Sequence, residues 1–377
     1  MSASDGEDLL RMLRDSAADY VNRSEMARDV RAWRKKPEGY DAARWDEMVQ
    51  LGWVGLRAPE SCGGMGLGLE ECVALLAETG RGIGPEPLSA VGVLAMRTFA
   101  NGAGTHNDDL MAGLVEGGRV VAVAWQEKAG ALQAGDCETR ATPTANGWRL
   151  TGVKDFVHGA AQANVLIVSA RTPEGVGLFA VQPGDKGVKL EARFFTDGTT
   201  CHRLHLQDAD VATGFCVAPA PAGEAALDAA LDETRIAASA EMFGLSVRAL
   251  DMTLDYLRQR KQFGKAIGSF QALQHRAVDL YVTTQMMRAA IDRAARAFES
   301  ADARERALIA SACKARCSDG ALAIVKEAIQ MHGAIGYTDE HDIGLFVRRA
   351  IKLAAWLGNG AQHRKRYAAL SPALEQV

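Results

Sequence analysis

The feature that most constrains this chain is a hydrophobic period that switches twice along its length. From about residue 223 onward, apolar residues recur at helical spacing over spans such as 271–299 and 303–333, far too long for strands. Arg/Lys-rich faces alternate there with Ala/Leu/Met faces, as packed bundle helices require. Between about 119 and 217 the pattern becomes short β-branched runs at 120–123, 148–152, 165–169, 178–181 and 188–190. Turn signals such as Asn146–Gly147 and Pro183–Gly184–Asp185 separate them. Such runs with no helical stretch between them predict an antiparallel barrel or sandwich and exclude a βαβ sheet. Residues from about 5 to 118 are helical again. Leu9, Leu10, Met12 and Leu13 mark one stretch, Trp45, Met48, Val49 and Leu51 another, and 71–80 a third that Gly80 should end. The expected class is α+β: an N-terminal helical domain (1–118), a middle β domain (119–217) and a C-terminal four-helix bundle (218–377).

Composition narrows the partners. Of 377 residues 48% are hydrophobic and 24% charged, with a formal net charge of −4. This gives no electrostatic reason to expect nucleic acid or an anionic membrane. No apolar run reaches the roughly 18–20 residues needed to span a bilayer. Seven cysteines without a CxxC pair, and no secretory leader, predict reduced thiols in a cytoplasm. Cys313 and Cys317 lie four apart on one helix, but no His or further Cys stands at ligand spacing. Small buried side chains are the better reading, and no metal is expected.

Three ordered blocks carry a resemblance. Residues 254–276 read LDYLRQRKQFGKAIGSFQALQHR, 330–340 read QMHGAIGYTDE, and 45–69 contain LGWVGLRAPESCGGMGLGL. They resemble the acyl-CoA dehydrogenase signatures Arg-x-x-Phe-Gly-Lys-x-Ile, Gln-x-x-Gly-Gly-x-Gly-Tyr and the N-terminal helix–loop entry. The helix–barrel–helix order fits as well, and the resemblance covers essentially the whole chain.

The physical reading agrees. Arg258, Arg260, Lys261 and Lys265 cluster around a Gly264 break between two helices, a setting suited to a diphosphate. The resemblance implies FAD as cofactor, with Arg260 reaching its diphosphate across a subunit interface and Phe263 packing beside it. Gln330, Gly333 and Ala334 are implied on the flavin's other side, where the family has a second glycine at Ala334. A helix C-cap and turn is the structural alternative for Gly333. In the β domain the match is poorer. Gln126 begins the reduced counterpart of a Thr-Glu-Pro stretch, and Phe156 and His158 replace parts of a Trp-Ile-Thr-Asn stretch. These two alternate on one strand face, so a plain packed strand is the competing reading. Asp232 and Arg235 resemble the pair that contacts the pantetheine arm of CoA, against a plain helix start with acidic residues.

One element departs from the family. Its reaction removes a proton next to a thioester and a hydride from the following carbon, which calls for a carboxylate base of raised pKa. The usual glutamate position falls on Leu357, or on Gly358 with a one-residue slip, while Gln362 stands within one residue of a cofactor-contacting glutamine. A second family position for the glutamate, just before Arg235, holds Thr234. Glu241, in the apolar run IAASAEMFG, is the best remaining candidate base, ahead of Glu233, unless an arginine partners it. Small subunits of heteromeric pimeloyl-CoA-type and steroid-type enzymes also depart from the glutamate loop. The resemblance therefore implies acyl-CoA as substrate, electron-transferring flavoprotein as acceptor, and either a second dehydrogenase subunit (α2β2) that brings the base or a homotetramer. The alternatives are a non-catalytic scaffold subunit and a flavin oxidase or monooxygenase on the same fold.

Overall fold

The computed structural model describes residues 3–23 and 26–371. In chain order the helices before the sheet are α1 (Ala3–Arg23), α2 (Met26–Trp33), α3 (Ala42–Gln50), α4 (Leu69–Gly82), α5 (Met96–Asn101) and α6 (Asn107–Val115). A π-helical segment, Ser89–Ala95, leads into α5. The strands are β1 (Val121–Ala124), β2 (Arg140–Thr144), β3 (Gly147–His158), β4 (Val165–Thr172), β5 (Gly175–Val181), β6 (Val188–Phe194), β7 (Thr200–Ala212) and β8 (Cys216–Ala218). Then follow α7 (Ala222–Gln259), a short hairpin of β9 (Lys261–Gln262) and β10 (Lys265–Ala266), and α8 (Gln271–Phe298), α9 (Ala303–His332), α10 (Ile343–Ala355) and α11 (Gly360–Leu370). The chain falls into two compact units, Met1–Ala32 with Leu69–Gly84 and Arg235–Val377, and Trp33–Gly68 with Pro85–Thr234.

In the first unit α9 packs against α8, α10 and α11. Its buried positions Ala310, Cys313, Cys317, Ala321, Ile324 and Ala328 recur at three- and four-residue spacing with small or slender side chains. That spacing lets neighbouring helix backbones approach closely. The expected end of the 71–80 helix at Gly80 is not observed: α4 runs through to Gly82. Gly80 is there to let a helix pass. A Cβ on it would stand 2.5 Å from the Glu241 carbonyl oxygen, and one on Gly244 would stand 1.8 Å from that of Ala77.

In the second unit the sheet order is β6-β7-β3-β2-β4-β5-β8, with β1 alongside β4. It is an open sheet, not a barrel. Most pairings are antiparallel, as the turn signals predict, but β1 and β2 each pair parallel with β4. The residues between β1 and β2 carry the chain back without adding a hairpin partner, and no short-range turn signal encodes that. Leu150, Leu166, Val168, Phe179, Leu204 and Leu206 form the centre of its core.

Gly244→Ala should therefore force α4 and α7 apart and cost about 2–3 kcal/mol of unfolding free energy. Gly184→Ala, where an added Cβ meets nothing within 4 Å, should stay within about 0.5 kcal/mol of the parent. Urea unfolding of both variants checks this.

Candidate active site

The loop after α10 is held by several buried donors. Leu357 has φ 61° and Gly358 φ 101°. A left-handed, non-glycine residue costs free energy and persists where its surroundings over-determine it. Here they do. The Leu357 carbonyl accepts from His363 Nε2 at 2.9 Å and from Arg235 Nε at 3.3 Å. Lys314, fully buried on α9, donates from Nζ to the carbonyls of Leu353 (3.0 Å), Ala354 (3.2 Å) and Gly358 (3.0 Å) and to Ser318 Oγ (3.1 Å). Leu353 and Ala354 belong to the last turn of α10, whose carbonyls lack intrahelical partners. Lys314 is thus an internal C-cap supplied by a neighbouring helix. Asn359 and Gln362 close the loop with a reciprocal capping box on α11, each bond 2.9 Å. The Gln362 carboxamide oxygen is engaged in that cap. The Leu357 side chain is itself buried.

Burial dominates the electrostatics. It pushes the Lys314 ammonium down to about 7, with Cys317 opposing and Arg235 assisting. It pushes His363 down to about 2, helped by Arg235 and Lys314, so the imidazole is neutral. Its bond to a carbonyl assigns the proton to Nε2. Burial also raises the Cys317 thiol well above its ordinary value.

The carboxylates considered as bases are both in ion pairs. Glu241 has Arg349 Nη2 at 3.4 Å, the arginine partner that a buried glutamate calls for. In the second unit Glu233 accepts from Arg57 Nε at 2.7 Å and from Arg97 Nε at 2.9 Å. Asp232 and Arg235 are buried, Arg235 completely.

The flavin candidates fall into two groups, one in each unit. In the first, Arg260 follows α7, and Phe263–Gly264 form a two-residue turn between β9 and β10 with φ 52° and 79°. The break at Gly264 is thus a hairpin turn and not a junction of two helices. Successive positive φ values are what such tight turns require. Phe263 is 92% exposed at the tip. Gln330 lies in the last turn of α9, and Gly333 caps it with φ 65°, its amide donating to Gln330 O. No atom stands within 4 Å of where a Gly333 Cβ would be, so the backbone there is open to a ligand. Ala334 follows in a 3-10 turn. Tyr256, His332 and His341 pack that segment onto the end of α7, with ring centroids 4.6 Å apart for Tyr256–His332 and 4.4 Å for His332–His341.

In the second unit Phe156 sits in a β-bulge of β3 with φ 54°. The expected alternation of Phe156 and His158 on one face is therefore broken. Asp155 holds the bulge: its Oδ1 accepts from the Phe156 amide at 2.9 Å, and its Oδ2 from Arg203 Nη2 at 2.5 Å. His158 packs on Phe195 with centroids 4.7 Å apart. The Gln126 carbonyl accepts from the Asp155 amide at 2.7 Å, and its side chain donates to Lys128 O at 3.0 Å. Next to it Glu127 accepts from the buried Lys154 Nζ at 2.7 Å. Burial favours its neutral form, but the lysine and the Thr139 amide outweigh that and hold Glu127 at about 2. Reading the sequence alone misses Lys314, His363 and Lys154. The signal for Lys314 is a lysine on a helix face of otherwise small, buried residues.

No group of three or more His, Cys, Asp or Glu that could hold a metal occurs among the described residues. All seven cysteines are free thiols, and no described helix is long and apolar enough to cross a membrane.

The model of the acyl-CoA dehydrogenase N-terminal domain matches residues 7–113, and that of the C-terminal domain matches residues 222–370. Acyl-CoA dehydrogenase FadE27 of Mycobacterium tuberculosis is 28% identical over 93% of this chain and 93% of its own length. A variant described as "Tcur3481-Tcur3483 steroid ACAD" superposes with a TM-score of 0.87 at 30% identity, covering 97% of this chain and 98% of its own. The ChsE4-ChsE5 complex from Mycobacterium tuberculosis shares the fold, with a TM-score of 0.87 at 24% identity over 97% and 98% of the two chains. The chain belongs to the acyl-CoA dehydrogenase family, oxidoreductases that act on CH–CH bonds.

Lys314→Met should lower the unfolding free energy by about 2–4 kcal/mol, because it strands buried carbonyls. The folded-state value near 7 lies below the ordinary lysine value of 10.5. Between these limits the unfolded chain holds the proton that the folded chain has released, so Lys314 makes stability rise with pH across that window. Urea unfolding at pH 7.0 to 10 should show that slope in the parent and lose it in Lys314→Met.

Proposed function

We propose that this chain is the base-deficient subunit of a heteromeric, FAD-dependent acyl-CoA dehydrogenase. The observation that carries the reading is the Leu357 loop, clamped by His363, Arg235 and Lys314 around an apolar side chain. A loop that had merely decayed would not keep a left-handed residue held by three buried donors. By resemblance to the family signatures this is the loop that carries the catalytic glutamate, so a sister chain is assigned the base.

Within such a complex Arg260, with its fixed positive charge, holds the cofactor diphosphate, and Phe263 packs beside it. The open backbone at Gly333 and Ala334 admits the cofactor from the other side, together with Gln330 and Gln362. Phe156, His158 and Gln126 serve the flavin ring, and Asp232 and Arg235 the pantetheine arm of the thioester. Bound FAD supplies a hydride acceptor for the β-carbon. An electron-transferring flavoprotein would be the electron acceptor, with the cytoplasm as the proposed location. An oligomer is supported by α8, where Val278, Tyr281, Val282 and Met286 are exposed at helical spacing on one face. Phe263 at its exposed turn supports a partner as well. The buried ion pairs of Glu233, to two arginines, and of Glu241 support a structural role for these carboxylates, which leaves the chain alone without a base.

The chain is purified alone and with an acyl-CoA dehydrogenase encoded beside it, and flavin absorbance and subunit ratio are recorded. FAD retention in an equimolar complex, with acyl-CoA-dependent bleaching only there, is expected. Arg260→Met should cut flavin content of that complex at least about tenfold while leaving subunit assembly intact. Bleaching by the chain alone would sink the proposal and make Glu241→Gln the next variant.

A further inference from the structure

The segment between α9 and α10 carries Gly333 and Ala334, and two imidazoles hold it in place. His341 Nδ1 accepts from the Ile343 amide at 3.1 Å. Ile343 is the first residue of α10, and the side chain of Asp342 before it makes no capping bond among the described residues. The first amides of a helix lack intrahelical partners, so an imidazole here fills the place that a serine or aspartate usually takes. An imidazole that accepts at Nδ1 is neutral, with its proton on Nε2. His332, at the end of α9, carries the opposite tautomer. Its Nδ1 donates to the Ala328 carbonyl at 2.7 Å, which leaves a lone pair on Nε2. That atom is buried and has no hydrogen-bond partner among the described residues. The two imidazole centroids lie 4.4 Å apart, and Tyr256 stacks on His332 at 4.6 Å.

Protonation disrupts this arrangement at both rings. A proton on His341 Nδ1 turns the acceptor of the Ile343 amide into a second donor, so the cap is lost. It also sets a positive charge at the positive end of the α10 dipole. A proton on His332 Nε2 enters a buried site without an acceptor, beside the other imidazole. Facing the pair are Tyr256 from α7, Asp342 on the connecting segment and, behind Asp342, Arg31 of α2. Asp339 and Glu340 precede them and are exposed to solvent. Asp342 favours a charged His341, but its carboxylate is shared with Arg31 at 2.6 Å. The Ala328 carbonyl favours a charged His332. Burial is the larger influence at both rings and holds both below the ordinary histidine value.

We propose that His341 and His332 make the segment between α9 and α10 acid-labile, so that the chain opens its Gly333–Ala334 edge and releases its cofactor as the pH falls. The opening stands on the geometry of the two imidazoles; the release of cofactor rests on the dehydrogenase reading. A histidine held neutral in the fold, and free to charge once the segment opens, contributes protection above about pH 6.5 that is lost as the pH falls below it.

The test is hydrogen exchange of the full chain, read by mass spectrometry from about pH 7.5 to about pH 5.5, a range that brackets the ordinary histidine value. After correction for the intrinsic rate, the opening equilibrium of the 335–345 amides should rise by up to about tenfold per pH unit below about 6.5 for each histidine. The centre of α9 should stay protected throughout. His341→Asn caps the Ile343 amide without titrating and should remove about half of that slope on a logarithmic scale. Adding His332→Phe should abolish the rest. Protection that does not change with pH in the parent would overturn the proposal, as would an undiminished slope in His341→Asn. In the complex with its partner dehydrogenase, flavin should be retained on gel filtration at the upper pH and lost at the lower, and His341→Asn should shift that loss to lower pH. Flavin that stays bound while protection falls would overturn the release. A complex without flavin at any pH would instead overturn the dehydrogenase reading, and the exchange result would still decide the role of the histidines.

Discussion

The first unit depends on one buried ammonium. Three carbonyls converge on Lys314, two from the last turn of α10 and one from the loop beyond it. Buried carbonyls must be satisfied, and here the end of α10 and the loop after it share one donor on α9. That arrangement fixes where α10 ends, how the chain turns through Leu357 and Gly358, and where α11 begins. Desolvating a lysine is costly, which is why burial pulls its proton affinity down towards neutrality. The cage of acceptors offsets part of that cost, and the small side chains along α9 make room for it.

Charges elsewhere in the fold follow a related rule. Glu233 lies between two arginines, Glu241 faces Arg349, Glu127 faces Lys154, and Asp155 gathers Arg203 and Arg193. Removing one member of such a pair strands a buried charge, so these groups are bound to their structural partners. A general base needs the opposite: a carboxylate whose proton affinity is raised and whose lone pairs face substrate. Glu233 and Glu241, the carboxylates considered as bases, are both held in such pairs. On the proposed reading Leu357 stands where the family's usual acid would, which fits that division of labour.

Much of this was legible in the sequence. The helical spans 271–299 and 303–333 lie within a residue of α8 and α9, because long periodic segments leave little ambiguity. Strand β7 was not legible. Its buried positions are the adjacent Cys201 and His202, then Leu204 and Leu206 before the irregular residue Asp208, then Ala209 and Val211 after it, so no single two-residue period runs through. The hairpin at Phe263–Gly264 was hidden for a similar reason, since a phenylalanine at positive φ carries no turn signal. Site residues in signature blocks were readable by resemblance alone. Lys314 and His363 were not, because their partners are main-chain carbonyls, which leave no trace in side-chain chemistry.

The most direct measurement is washout of the proton next to the thioester. An acyl-CoA is incubated in deuterated buffer with the FAD-supplemented chain alone and with the complex, and deuterium at that carbon is followed by mass spectrometry. A chain without its own base should exchange it no faster than buffer, while the complex exchanges it readily. Exchange catalysed by the chain alone would contradict the account and place a working base within this sequence.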